Sequence, residues 1–184
     1  MANHILYIPW AVGQSDFDDH CDDWIDSADQ GVLKRNKNFW RYNHGDGATL
    51  GALLWRSEIY VCGHGAPGDH TIDADHHGRD SLTYQEVANR LVAQGLKKSW
   101  SGVIKLHNCS SGVFKLGSQS FAAKFAQYMR FELGFHRVSF VGYTGAIDCH
   151  PNDSGGKNFH RRVTQFKHTP LQTETKSKWC KVFF

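Results

Sequence analysis

A thiol and an imidazole, each at the end of a short apolar run, are the side chains of this sequence best placed to do chemistry. Gly102-Val103-Ile104-Lys105-Leu106-His107-Asn108-Cys109-Ser110-Ser111-Gly112 reads as a strand that delivers Cys109 into small, flexible residues. Ile59-Tyr60-Val61-Cys62-Gly63-His64-Gly65 is a matching unit that delivers His64. A thiol attacks carbonyl carbon as its thiolate, and at neutral pH that form needs a base or a cation nearby. An imidazole on the adjacent parallel strand meets the need. The backbone N–H groups of Gly65 and Cys109 are the candidates to face a developing oxyanion. In open α/β sheets, ligands collect outside the carboxyl ends of the strands. A helix between the two runs would make them parallel neighbours, with His64 beside Cys109.

The elements that must hold this pair can be read from periodicity. His4–Ile8 is a first strand, closed by Pro9. Ser15-Asp16-Phe17-Asp18 has the Ser-x-x-acid form of a capping box, and Phe17, Cys21, Trp24, Ile25 and Ala28 then recur at helical spacing. The aspartates of this stretch read as a solvated face favoured near a helix N-terminus; they lack the spacing of an EF-hand calcium loop. Phe39-Trp40-Arg41-Tyr42 reads as a strand followed by a turn at His44-Gly45-Asp46-Gly47. Thr83-Tyr84-Gln85-Glu86 is a second capping box, opening a helix with Val87, Ala88, Leu91 and Val92 inward and Gly95 as its stop. Ala122, Phe125, Ala126, Met129 and Leu133 form one face of a third helix ended by Gly134, and Val138–Gly142 is the next strand. This alternation across 59–142 predicts an α/β fold with a mainly parallel central sheet. The stretches 159–166 and 178–184 read as two strands of a C-terminal β-hairpin, and the length of 184 residues fits a single domain, 1–184.

Val61-Cys62-Gly63-His64-Gly65 resembles the apolar-block-then-His-Gly motif of the caspase–hemoglobinase (clan CD) cysteine peptidases, and Leu106-His107-Asn108-Cys109-Ser110-Ser111-Gly112 is similar to their apolar-block-then-Cys motif. The separation, 109 − 64 = 45 residues, is close to the roughly 50 between His and Cys in caspases. The Cys-x-Ser-Gly form is more similar to metacaspases and legumain, and the group also contains the self-cleaving domains of large bacterial toxins. His107-Asn108 replaces the acid and small residue that metacaspases often carry before the cysteine. The resemblance covers about residues 57–143. It implies a caspase-like three-layer sandwich, a Cys–His dyad of Cys109 and His64, and hydrolysis of peptide bonds without a cofactor, as in an effector- or toxin-type protease. It also implies that the residue ahead of the scissile bond lies near the loop after the Val138–Gly142 strand, which carries Tyr143 and Asp148. Asp148 would favour Arg or Lys there; Asp69 and Asp80 are alternative carboxylates, and an apolar wall at Tyr143 would favour Leu.

Other residues have competing readings. Cys62 reads as core, and His107 as a second imidazole candidate. The loop containing Asp69, His70, Asp73, Asp75, His76 and His77 mixes metal-binding side chains, which makes a metal-dependent hydrolase the rival assignment. It lacks an HExxH arrangement. A third assignment is an inactive binding module built on the same fold.

The resemblance implies a protein or peptide substrate, and composition argues against nucleic acid and a membrane span. Apolar content of 40%, charged content of 21% and a net charge of +3 describe an ordinary globular chain with no dense basic run for nucleic acid. No apolar stretch reaches membrane-spanning length. The first residues lack the leader of a signal peptide, so the expected location is the cytoplasm, or a target cell reached without a cleaved signal. Cys21, Cys62, Cys109, Cys149 and Cys180 are odd in number and show no CxxC spacing, which predicts reduced thiols. No pattern specifies an oligomer.

Overall fold

His4–Ile8 is buried along its whole length, as expected of a strand covered on both faces of its sheet. It is β1 in a computed structural model that describes residues 4–29, 38–148, 162–165, 173–176 and 180–184. In chain order there follow α1 (Phe17–Asp29), β2 (Phe39–Asn43), a 3-10 turn (Leu50–Ala52), β3 (Glu58–Cys62), β4 (Thr71–Ile72), β5 (Leu82–Thr83), α2 (Tyr84–Ala93), β6 (Val103–His107), α3 (Phe121–Phe131), β7 (Ser139–Tyr143), β8 (Ala146–Asp148), β9 (Arg162–Gln165), β10 (Thr173–Lys176) and β11 (Lys181–Phe183).

Six strands form the central sheet in the order β11-β7-β6-β3-β1-β2. All pairs within it are parallel except β11 with β7. Strand alternation sends Tyr60, Cys62 and His107 to one face, where α1 meets them. Cys21 Sγ lies 3.8 Å from Cys62 Sγ, and the Trp24 ring lies 5.4 Å from Tyr60 and 5.2 Å from His107. Ile59, Ile104 and Phe140 are in register on the opposite face; α3 covers it through Phe125, 5.9 Å from Phe140, and α2 packs against α3 through Tyr84 and Tyr128. Helices on both faces make the fold α/β and compatible with a three-layer sandwich. None of the described helices is long and apolar enough to cross a membrane.

The start of α2 follows its sequence signal. Thr83 Oγ1 accepts the Glu86 N–H, and the Glu86 carboxylate accepts the Thr83 N–H in return. The start of α1 does not. Ser15 Oγ accepts the Phe17 N–H, and Asp18 turns away to accept from Gly13 N (2.7 Å) and Asn43 Nδ2 (2.6 Å). Asp22 pairs with Arg41 at 2.5 Å. Asp18 and Asp22 are therefore engaged with the loop after β1 and with β2, while Asp19, Asp22, Asp23 and Asp26 are exposed, as the solvated-face reading expects.

The end of the chain also departs from expectation. The two expected strands are described only over 162–165 and 180–184, and they do not pair with each other. β9 pairs antiparallel with β8 and with β10, whose sequence Thr-Glu-Thr-Lys has no apolar residue to announce it. β11 instead pairs with β7 on the central sheet. Its apolar Val182 approaches Gly112 there, and Arg130 Nη2 donates to Phe184 O at 2.7 Å.

At the amino ends of β1, β3 and β6, Glu58 Oε2 accepts from His4 Nδ1 (3.0 Å), Tyr60 Oη (2.6 Å) and Lys105 Nζ (2.6 Å). Burial alone would raise the Glu58 carboxyl pKa; the His4, Lys105 and Tyr60 contacts outweigh it and hold the group well below the usual carboxylate range. The associated stability is present above the unfolded carboxyl value, about pH 4.3, and is lost as pH falls through the folded one. Lys105→Met strands the Glu58 charge and is expected to cost about 3 kcal/mol at pH 7 in urea unfolding. The gap between wild type and Glu58→Gln should shrink as pH drops below about 4.

Candidate active site

The ladder between β3 and β6 ends on the pair Cys62↔His107. Parallel strands in register release their next residues at the same end of the sheet, so Gly63-His64 and Asn108-Cys109 emerge side by side. The approach of the two segments is close. A Cβ on Gly65 would stand 2.7 Å from Asn108 Nδ2 and 3.3 Å from Cys109 O, so only glycine fits without displacement. Cys109 is half-buried, while Cys21, Cys62 and Cys180 are fully buried. Cys109 is thus the one partly exposed thiol among the described cysteines.

The turn after Cys109 is tightly determined. Ser110 has φ +56°, a left-handed conformation that costs a non-glycine residue energy and persists only where its surroundings impose it. Here they do. Ser110 N donates to Gly145 O (2.8 Å) and Gly112 N to Tyr143 O (2.8 Å). The buried Ser111 Oγ donates to Leu106 O (2.7 Å) and accepts the Tyr143 N–H (3.0 Å). A Cβ on Gly142 would lie 2.9 Å from Gly112 Cα, so the cysteine loop rests directly on the β7 backbone.

His64 is held from the other side. It exchanges both backbone hydrogen bonds with Asp73, at 3.0 and 3.1 Å, while the Phe17 ring packs 4.7 Å from the imidazole. Its Nε2 hydrogen-bonds to Asp16, 2.9 Å from Oδ1 and 3.0 Å from Oδ2. Asp16 also receives His76 Nδ1 at 3.5 Å. Asp16 follows β1, whose neighbours are β2 on one side and β3 on the other. The chain order reverses there, and such switch points are where open α/β sheets bind ligands. Helical periodicity alone puts Asp16 with the solvated aspartates and misses this role. Its position after the first strand is the available signal, and the contact spans 48 residues.

Among the other candidates, His107 is a correction. It is buried at 3% exposure, enclosed by Trp24, Tyr60 and Tyr143, because alternation along β6 points it into the α1 layer. Cys62 is core, as expected. Tyr143 is fully buried, with its ring 5.9 Å from His107. Asp148 lies on β8 opposite Arg162, three residues past the Gly145 carbonyl that holds Ser110. In the 69–77 loop, Asp75 pairs with Arg79 (2.7 Å), Asp73 accepts from Ser81 Oγ (2.5 Å), and His70 Nε2 meets Ser118 Oγ (3.0 Å) and Lys124 Nζ (3.2 Å). Among the described residues no group of three or more His, Cys, Asp or Glu side chains could hold a metal ion.

No protein-family model and no curated protein sequence matches the chain.

The cysteine turn can be tested on its own. Ser111→Ala removes the acceptor of a buried backbone N–H and should cost about 1–3 kcal/mol in denaturant unfolding. Ser110→Gly relieves the left-handed residue and should be neutral or stabilising by up to about 1 kcal/mol, whereas Ser110→Val should destabilise by more than that.

Proposed function

We propose that this chain is a cysteine endopeptidase of the caspase–hemoglobinase type, acting through Cys109 and His64. The observation that carries the reading is the shared exit of β3 and β6, with Gly65 against the Cys109 backbone. Apo geometry is often looser than that of the substrate complex. Substrate engagement brings the His64 imidazole to the thiol.

In this mechanism His64 takes the proton of Cys109 Sγ, and the thiolate adds to the peptide carbonyl carbon. The oxygen becomes an oxyanion facing the N–H groups of Gly65 and Cys109. Collapse expels the amine, which takes the proton back from the imidazolium, and leaves a thioester. His64 then deprotonates water, which attacks the thioester and frees the acid and the thiol. The substrate is a protein or peptide. Asp148, close in sequence to the carbonyl that supports Ser110, favours Arg or Lys ahead of the scissile bond through a charge-assisted hydrogen bond.

The deciding experiment treats the protein with a thiol-reactive peptide electrophile and locates the adduct by mass spectrometry. Capture at Cys109, lost in Cys109→Ala and slowed in His64→Ala, is expected; hydrolysis that persists in Cys109→Ala would overturn the reading. EDTA should leave turnover unchanged, and activity that EDTA removes and zinc or manganese restores would point to the metal-dependent alternative. A fluorogenic peptide set varied at one residue should show Arg or Lys preferred, with the preference reduced by at least about tenfold in Asp148→Ala, equivalent to about 1.4 kcal/mol. Leu preferred by wild type would reject the basic pocket.

A further inference from the structure

The structure assigns Asp16 as the positioning residue of His64, holding the imidazole with its proton on Nε2 and leaving Nδ1 as the nitrogen able to take the proton of the Cys109 thiol. This inference deepens the proposed peptidase reading and rests on it for its catalytic meaning.

Donor and acceptor roles decide the tautomer. An ionised carboxylate only accepts hydrogen bonds, so an imidazole nitrogen 2.9 and 3.0 Å from its two oxygens must carry the hydrogen. A neutral imidazole has one ring proton. With that proton committed to Asp16, Nδ1 keeps its lone pair and can receive the proton of Cys109. After the transfer both nitrogens carry hydrogen, and the carboxylate faces the positive ring it has to stabilise. No atom is gained or lost beyond that one proton, which later leaves on the departing amine.

The carboxylate is well placed to act as a fixed reference. Asp16 N donates to Ala74 O at 3.2 Å, and the Oγ of neighbouring Ser15 donates to the same carbonyl at 2.8 Å. Ala74 itself follows the Asp73 that brackets His64. The residue after Asp16 contributes its ring, with Phe17 tilted at 58° against the imidazole. One short segment thus supplies both the acceptor and the packing that limits ring rotation. The second imidazole, His76, touches the same carboxylate at 3.5 Å but is 68% exposed; it is a weaker claimant and is not needed for the arrangement.

The test pairs a spectroscopic measurement with kinetics. In protein without substrate, long-range proton–nitrogen NMR should show His64 as the Nε2–H tautomer, with a downfield Nε2 proton protected from exchange. Asp16→Ala should lose that protected resonance. Asp16→Asn, which can still accept through Oδ1, should retain it. With a cleaved peptide, Asp16→Ala should lower kcat by about 10²-fold while changing KM by less than about threefold, and Asp16→Asn should recover part of the rate. A wild-type Nδ1–H tautomer, or a protected resonance that survives Asp16→Ala, would overturn the assignment. So would unchanged kcat in that variant. Thermal unfolding of both variants identifies any loss of fold. The resonance is read without turnover, so it decides the role of Asp16 even if wild type cleaves no peptide and the peptidase reading fails.

Discussion

The parallel, in-register pairing of β3 with β6 is the constraint on which the site depends. Cys62 opposite His107 is the last rung, and both chains leave the sheet at that level. A shift of one residue would reverse the faces and bury the residues that now emerge at the edge. Several local features protect the register. Gly65 lets the two exits touch, and the hydrogen bonds of Ser111 tie the cysteine loop to both the β6 and β7 backbones. At the opposite end, the Glu58–Lys105 contact clamps the first rungs of the same pair. A charged clamp below and a glycine contact above leave this strand pair little freedom to slide.

Much of this scaffold is legible in the sequence because it is written in local periodicity. The inward faces of α2 and α3 contain the apolar residues that helical spacing selects, and the Thr83–Glu86 box closes as its pattern indicates. The strands that deliver His64 and Cys109 are visible as short apolar runs ended by small residues. Illegible are the contacts that only tertiary structure creates. Asp16 looks like its neighbours Asp18 and Asp19 until the loop after β1 brings it to His64. His107 looks like a second base until strand alternation buries it. β10 is a strand because β9 pairs with it, and its own pattern of threonine and charge carries no apolar signal. The assignment of β11 to the central sheet has the same origin: β7 offers an open edge, and Val182 has Gly112 to pack against.

The cysteine loop and the histidine segment are stabilised by different means. Around Cys109, the strain of one left-handed serine is held by backbone hydrogen bonds to Tyr143 and Gly145, partners on a neighbouring strand and its exit. Around His64, the partners are side chains and a two-bond bridge to Asp73 in a polar loop. The cysteine loop is therefore tied to the backbone of a sheet strand and its exit, and the imidazole to a segment built from loops.

α1 is the one described helix on its face of the sheet, and the same segment begins at the residue that orients the imidazole. Cys21 against Cys62 and Trp24 against Tyr60 and His107 are the contacts that keep it seated. The contacts that seat α1 on the aromatic cluster and the carboxylate that meets the His64 imidazole thus lie on one continuous stretch of chain, from Asp16 to Trp24. Asp16 has its own anchor as well, the Ala74 carbonyl, so the strand-end loop and the helix hold that stretch from both sides.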